Sequence, residues 1–147
     1  MRTVVALMWL GLAACTTAPA PADPELSSLG KHEVTAELLE IPGPFPANDL
    51  YNYAFVFKYR VRQVHRGSVP PGEIFVGHYN PRKPRAAAAD EESGTIGGRV
   101  GQFRAGDVHR MALAEPLDHH WMGGIIDKYF EQKGTRYWAV WTNPASR

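Results

Sequence analysis

A chain of 147 residues, 44% of them hydrophobic, is long enough for one domain with a modest core and too short for two ordinary ones. Its 16 basic and 15 acidic side chains almost cancel, which argues against the strongly basic surface that general nucleic-acid binding requires. Cys15 is the sole cysteine, so neither an internal disulfide nor a multi-thiolate metal site can form within one chain.

The first residues have the three parts of an export signal: Arg2 beside the amino terminus, an apolar run from Val4 to Leu12, and small residues ahead of Cys15. The run is about half of the roughly 20 apolar residues that a spanning helix needs, and Pro19, Pro21 and Pro24 follow it, so a transmembrane anchor is not expected. Leu12-Ala13-Ala14-Cys15 resembles the lipobox of bacterial lipoprotein signal peptides at every position. That resemblance implies a diacylglycerol thioether on Cys15, cleavage just before it, and a partner in the membrane itself, since two or more acyl chains form a lasting anchor. It also implies sorting to the outer membrane, facing the periplasm, because Thr16 rather than Asp follows the cysteine. A competing site, Ala20-Pro21-Ala22 ahead of Asp23, would instead release a soluble secreted product. Arg2 is the only charged residue of the leader, so cleavage leaves 15 basic against 15 acidic side chains.

The expected layout is a cleaved signal over residues 1–14, a flexible Pro/Ala-rich tether over 15–30, and a single β domain over 31–147. From Lys31, Val34, Ala36 and Leu38 alternate with Glu33, Thr35 and Glu37, a half-buried strand that ends at Pro42-Gly43-Pro44. Tyr51 to His65 reads as the longest strand, with Tyr53, Phe55, Phe57, Tyr59 and Val61 on the core face. After Val61 the phase slips at Val64, which predicts a bulge or bend. The Val69-Pro70-Pro71-Gly72 turn leads into Ile74, Val76 and His78, predicting an antiparallel hairpin. An exposed insertion is expected at about 81–98, carrying Arg82, Lys83, Arg85, four alanines and Asp90-Glu91-Glu92. Val108 to Ala114 alternates again, with Met111 and Leu113 expected inward. Trp121, Ile125, Ile126, Tyr129 and Phe130 recur at helical spacing, predicting a short helix closed by Gly134. Arg136 to Thr142 is a last strand, apolar on both faces.

Five strands, one of them long and bent, with a hairpin, an insertion and one short helix, predict a mainly β fold: a small five-stranded OB-like barrel. The order resembles netrin-like domains and the inhibitory domain of tissue inhibitors of metalloproteinases, through the long aromatic strand, Val64-x-x-Gly67, Ile74-x-Val76 and Phe103-x-x-Gly106. Those families are stapled by disulfides that this chain lacks, and their inhibitors use a free N-terminal cysteine.

Asp118-His119-His120-Trp121 is similar to the Asp-x-His-Trp element of SGNH-like polysaccharide acetyltransferases. The resemblance implies Asp118 orienting His120 as the base for a serine nucleophile. No Gly-Asp-Ser or Gly-x-Ser-x-Gly element accompanies it, and Ser27, Ser28, Ser68, Ser93 and Ser146 all fall in expected tether, turn, insertion or tail. His78, His109, His119 and His120 show none of the usual zinc spacings, so no metal and no cofactor is expected. Lys58, Arg60 and Arg62 share one strand face and, with His65, Arg66, Arg82, Lys83 and Arg85, form a candidate patch for an anionic polysaccharide or a lipid headgroup, with Tyr51, Trp121 or Trp138 offering stacking to sugar rings. The reading from sequence is a lipid-anchored envelope module that binds a polysaccharide or an envelope protein and catalyses nothing. The alternative is an accessory enzyme of polysaccharide acyl transfer or hydrolysis, using Asp118 and His120.

Overall fold

The structure, a computed structural model, describes residues 23–47 and 50–146; the lipobox and the competing cleavage site lie outside them. Alternation and β-branched or aromatic residues produce five long strands: β1 (His32–Glu40), β2 (Tyr53–Arg66), β3 (Glu73–Tyr79), β5 (Val108–Ala114) and β7 (Arg136–Pro144). Two short strands join them, β4 (Gly97–Gly98) and β6 (Gly124–Ile126). The fold is mainly β with one mixed sheet. β1 pairs antiparallel with both β2 and β5, β5 antiparallel with β7, β7 parallel with β3, and β3 antiparallel with β2. The path of hydrogen-bonded neighbours therefore returns to β1.

The expected phase slip lies where β2 meets β1. Gln63 pairs with Thr35 and Val61 with Ala36, so Arg62 is the extra residue of a bulge. The hairpin is present as well, in register from Ala54 opposite Tyr79 to Arg60 opposite Glu73. Tyr53, Phe55, Phe57 and Tyr59 face a cluster built with Val34, Leu38, Val76, Met111, Leu113 and Tyr137. The other faces of these strands are covered too. Ala54, Val56, Phe75, Tyr79 and Trp138 pack under Leu117, Trp121 and Tyr129, which explains why β7 reads apolar on both faces. Gly77 admits this second layer, because a Cβ there would stand 2.0 Å from Leu117 Cδ1.

Three expectations are corrected. The segment after Trp121 is not a helix: helical structure among the described residues consists of single 3₁₀ turns at Arg85–Ala87 and Leu117–His119. Gly123 and Gly124 cost helix stability, and the chain gains more by pairing β6 with the start of β2 and burying Tyr129 while Phe130 stays exposed. The insertion at 81–98 is not simply exposed, since Arg85, Ala88, Ser93 and Ile96 are buried and β4 pairs with β7. The segment from Asp23 to Gly30, read from sequence as tether, is packed on the domain: Leu26 is fully buried, and the Arg66 guanidinium donates to the carbonyls of Leu26, Leu29 and Gly30.

Gly98 has φ +132°, and a Cβ there would meet the Thr142 carbonyl oxygen at 2.1 Å, which is backbone and cannot yield. Gly98→Ala is therefore expected to cost about 2–4 kcal/mol, read as a fall in the denaturant midpoint at unchanged slope.

Candidate functional site

A cleft of about 750 Å³ opens between the end of the β1–β2 loop and the start of the β5–β7 connection. Leu50, Tyr51 and Asn52 line it from one side, His120, Trp121, Met122 and Gly123 from the other, and Glu92 from the 81–98 segment. Its lining mixes exposed apolar side chains with polar ones: Met122 is 91% exposed, Leu50 79% and Tyr51 65%, while Asn52, Glu92 and His120 supply an amide, a carboxylate and an imidazole.

The sequence-derived candidates distribute unevenly over this geometry. Trp121 is buried as a wall of the cleft, stacked on Trp138 at 6.4 Å and 4°, edge-on to Tyr79, with Nε1 donating to the Gly124 carbonyl at 3.0 Å. Of the aromatic residues proposed for stacking, Tyr51 is the exposed one; Trp138 is core. Asp118 and His120 line different clefts. Asp118 belongs to a groove of about 400 Å³ with Leu117, Ile125, Asp127 and Arg136, and no serine or threonine lines the cleft that holds His120.

Lys58, Arg60 and Arg62 share the outer face of β2 as expected, flanked by acids on both neighbouring strands. Arg62 pairs with Glu37 at 2.6 Å, Arg60 stands opposite Glu37 on β1 and Glu73 on β3, and Lys58 stands opposite Glu40 with its ammonium 4.9 Å from the centre of the Tyr129 ring. None of the three lines the clefts described here. Cys15 lies outside the described residues.

Of the four histidines weighed as metal ligands, the fold joins two. The Tyr59 hydroxyl lies 3.0 Å from His78 Nε2 and 3.1 Å from His109 Nδ1, all three side chains being buried. A hydroxyl has one proton, so it donates to one imidazole and accepts from the N–H of the other, and the two rings hold complementary tautomers. Burial pushes His78 well below its ordinary range, with the Arg85 charge adding to the effect, and holds His109 at about 4 against the opposing pull of Asp107. Burial also raises Tyr59 well above the usual phenol range. Arg85 is buried with its guanidinium donating to the carbonyls of Tyr79, Asn80 and Lys83, and burial lowers it to about 10. Sequence reasoning missed Arg85 as a buried group because an arginine between Pro84 and a run of alanines carries no signature of burial. Leu50, Asn52, Glu92 and Met122 were missed because the cleft joins segments distant in sequence. No family model, curated protein or solved structure matches the chain.

Two outcomes follow from the buried cluster. Tyr59→Phe leaves both imidazoles without their shared partner and is expected to cost about 1–3 kcal/mol of unfolding free energy. The neutral state of His109 contributes stability that is complete above pH 6.5, its ordinary value, and is lost as pH falls towards 4. The loss from this group is on the order of 3 kcal/mol, and a His109→Asn variant should show a correspondingly smaller fall in denaturant midpoint between pH 7 and 4.

Proposed function

We propose that the chain is a lipid-anchored envelope lipoprotein whose β domain is a non-catalytic binding module for a cell-envelope saccharide. Its carrying observation is the cleft between the β1–β2 loop and the β5–β7 connection. Numbering only the five long strands, the pairings run 1-2-3-5-4 and back to 1, with the third and fifth parallel. This supports an OB-type barrel, and such barrels bind oligosaccharides and oligonucleotides with the loops that follow their first and fourth strands. A balanced charge favours the saccharide. The cleft offers what sugar rings need: one exposed aromatic face in Tyr51, and planar hydrogen-bonding groups in Asn52, Glu92 and His120. The basic strip Lys58, Arg60 and Arg62 plays a lesser part, because carboxylates flank it and none of its three residues lines the cleft.

Lipidation at Cys15 is supported by the Leu12-Ala13-Ala14-Cys15 sequence. Eight residue steps separate Cys15 from Asp23, where the packed domain begins, a reach of at most about 28 Å. An anchored domain would stay close to its bilayer, in the periplasm if the outer membrane holds it, and its ligand would be a saccharide of that layer.

The anchor is tested by radiolabelled palmitate in cells. Wild type should incorporate label and Cys15→Ser should not, accumulating instead as unprocessed precursor; a Cys15→Ser product that matures normally and is released would replace the anchor with an ordinary signal peptide. The binding site is tested on an array of purified bacterial envelope saccharides. Tyr51→Ala should weaken captured saccharides about tenfold, the loss of roughly one stacking contact, while Arg60→Ala leaves them within about twofold. Equal losses in both variants, or no binding by wild type, would refute the assignment of the cleft.

A further inference from the structure

Between β4 and β5 the chain makes a loop, residues 101–107, in which a single side chain turns inward. Gln102, Arg104 and Ala105 are exposed, whereas Phe103 is buried with its ring 5.1 Å from Phe57, 4.5 Å from His78 and 5.6 Å from His109. The guanidinium carbon of Arg85 lies 5.2 Å from the ring centre. Phe103 thus covers the Tyr59–His78–His109 cluster from one end of the core. The loop is held at its base, where the Arg85 N–H donates to the Val100 carbonyl and the Gly106 N–H to the Leu38 carbonyl. Glycines stand near both ends. A Cβ at Gly101 or Gly106 would meet nothing within 4 Å, and Gly106 has φ +94°, so the two hinge positions have both space and conformational freedom. Another cleft, about 220 Å³, runs along the loop and reaches His109, lined also by Gly101, Gln102, Asp107 and Pro144.

The charged and titratable groups facing the two imidazoles come from every element around them. Tyr59 of β2 lies between them, Arg85 of the 3₁₀ turn and His109 of β5 face His78, and Asp107 faces His109. A proton on His109 meets one opposing carboxylate. A proton on His78 meets the Arg85 cation and the other imidazole, in a fully buried position.

We propose that loop 101–107 is an acid-operated plug, in which protonation of His109 and then His78 releases Phe103 and opens this end of the core to solvent while the sheet persists. At neutral pH both imidazoles are uncharged, their tilted and edge-on ring contacts with Phe103 carry no charge, and the plug is closed. Opening returns the imidazoles to water and to an ordinary value near 6.5. Below that pH the open form binds more protons than the closed one, and its population grows up to tenfold per pH unit for each histidine until the closed form also titrates. Acid thus exposes the interior through the loop, and neutral pH reseals it.

Hydrogen exchange of the purified protein, followed by mass spectrometry at pH 7 and pH 5 and corrected for the intrinsic pH dependence of amide exchange, tests this. Peptides covering 101–107 should exchange at least about tenfold faster at pH 5, while peptides covering residues 55–59 of β2 keep their protection. His78→Gln with His109→Asn places an amide near each ring nitrogen that bonds Tyr59 and removes both titrations, so the pH step in the loop should vanish. If the pair fails to fold, His109→Asn alone should shrink the step. Phe103→Ala should exchange fast in the loop at pH 7 already. Unchanged protection at pH 5, a step that survives in the histidine variants, or simultaneous loss of protection across the whole sheet would each overturn the plug.

Discussion

β1 forms ladders on both of its edges, with β2 on one and β5 on the other, and the remaining architecture follows from that double pairing. A nine-residue strand hydrogen-bonded on both sides cannot lie flat between two partners that must also reach each other through β3 and β7. The circuit closes only if the strands coil, and the bulge at Arg62 with the register shifts on either side of it provides local twist where β2 leaves β3 and continues along β1 alone. Closure also limits what can fill the interior. The space is small and aromatic, so one change of side chain is felt by several elements at once.

Within that space the chain keeps a polar cluster among aromatic rings. Two imidazoles and a phenol have each given up hydration, a cost that their mutual hydrogen bonds offset only while all three are present and neutral. Arg85 raises the stakes, because it is a buried cation whose guanidinium donates to backbone carbonyls. Those bonds fold the corner after β3 into a fixed shape, which in turn supports Phe103. Polar burial here therefore organises loops, in contrast to the aromatic core, which organises strands.

The outer layer has a different logic. Leu117 seats over Gly77, Trp121 stacks on Trp138, and Tyr129 covers Phe75 and donates to Glu40 at 2.6 Å. These contacts pin the long β5–β7 connection against the outside of the sheet and leave Met122 standing at the cleft rim. Leu117 and Tyr129 hold the connection without lining the cleft, whereas Trp121 does both.

Strand identity, the hairpin, the slip after Val61 and the inward set Tyr53, Phe55, Phe57 and Tyr59 were legible in the sequence, because a period of two is a local property of the chain. The resemblance of Leu12-Ala13-Ala14-Cys15 to a lipobox also rests on a contiguous pattern, in residues outside those the structure describes. Local reasoning failed over 121–130, where helical spacing of apolar residues competed with strand pairing to β2, an option visible only once β2 is in place. It also offered Trp121 for stacking by residue type, whereas packing on Trp138 buries it. The meeting of His78 with His109, the burial of Arg85 and the joining of Tyr51 to His120 were decided by tertiary structure alone. Those partners lie on different strands or loops, and the strand register that brings them together is a property of the closed sheet, not of any one segment.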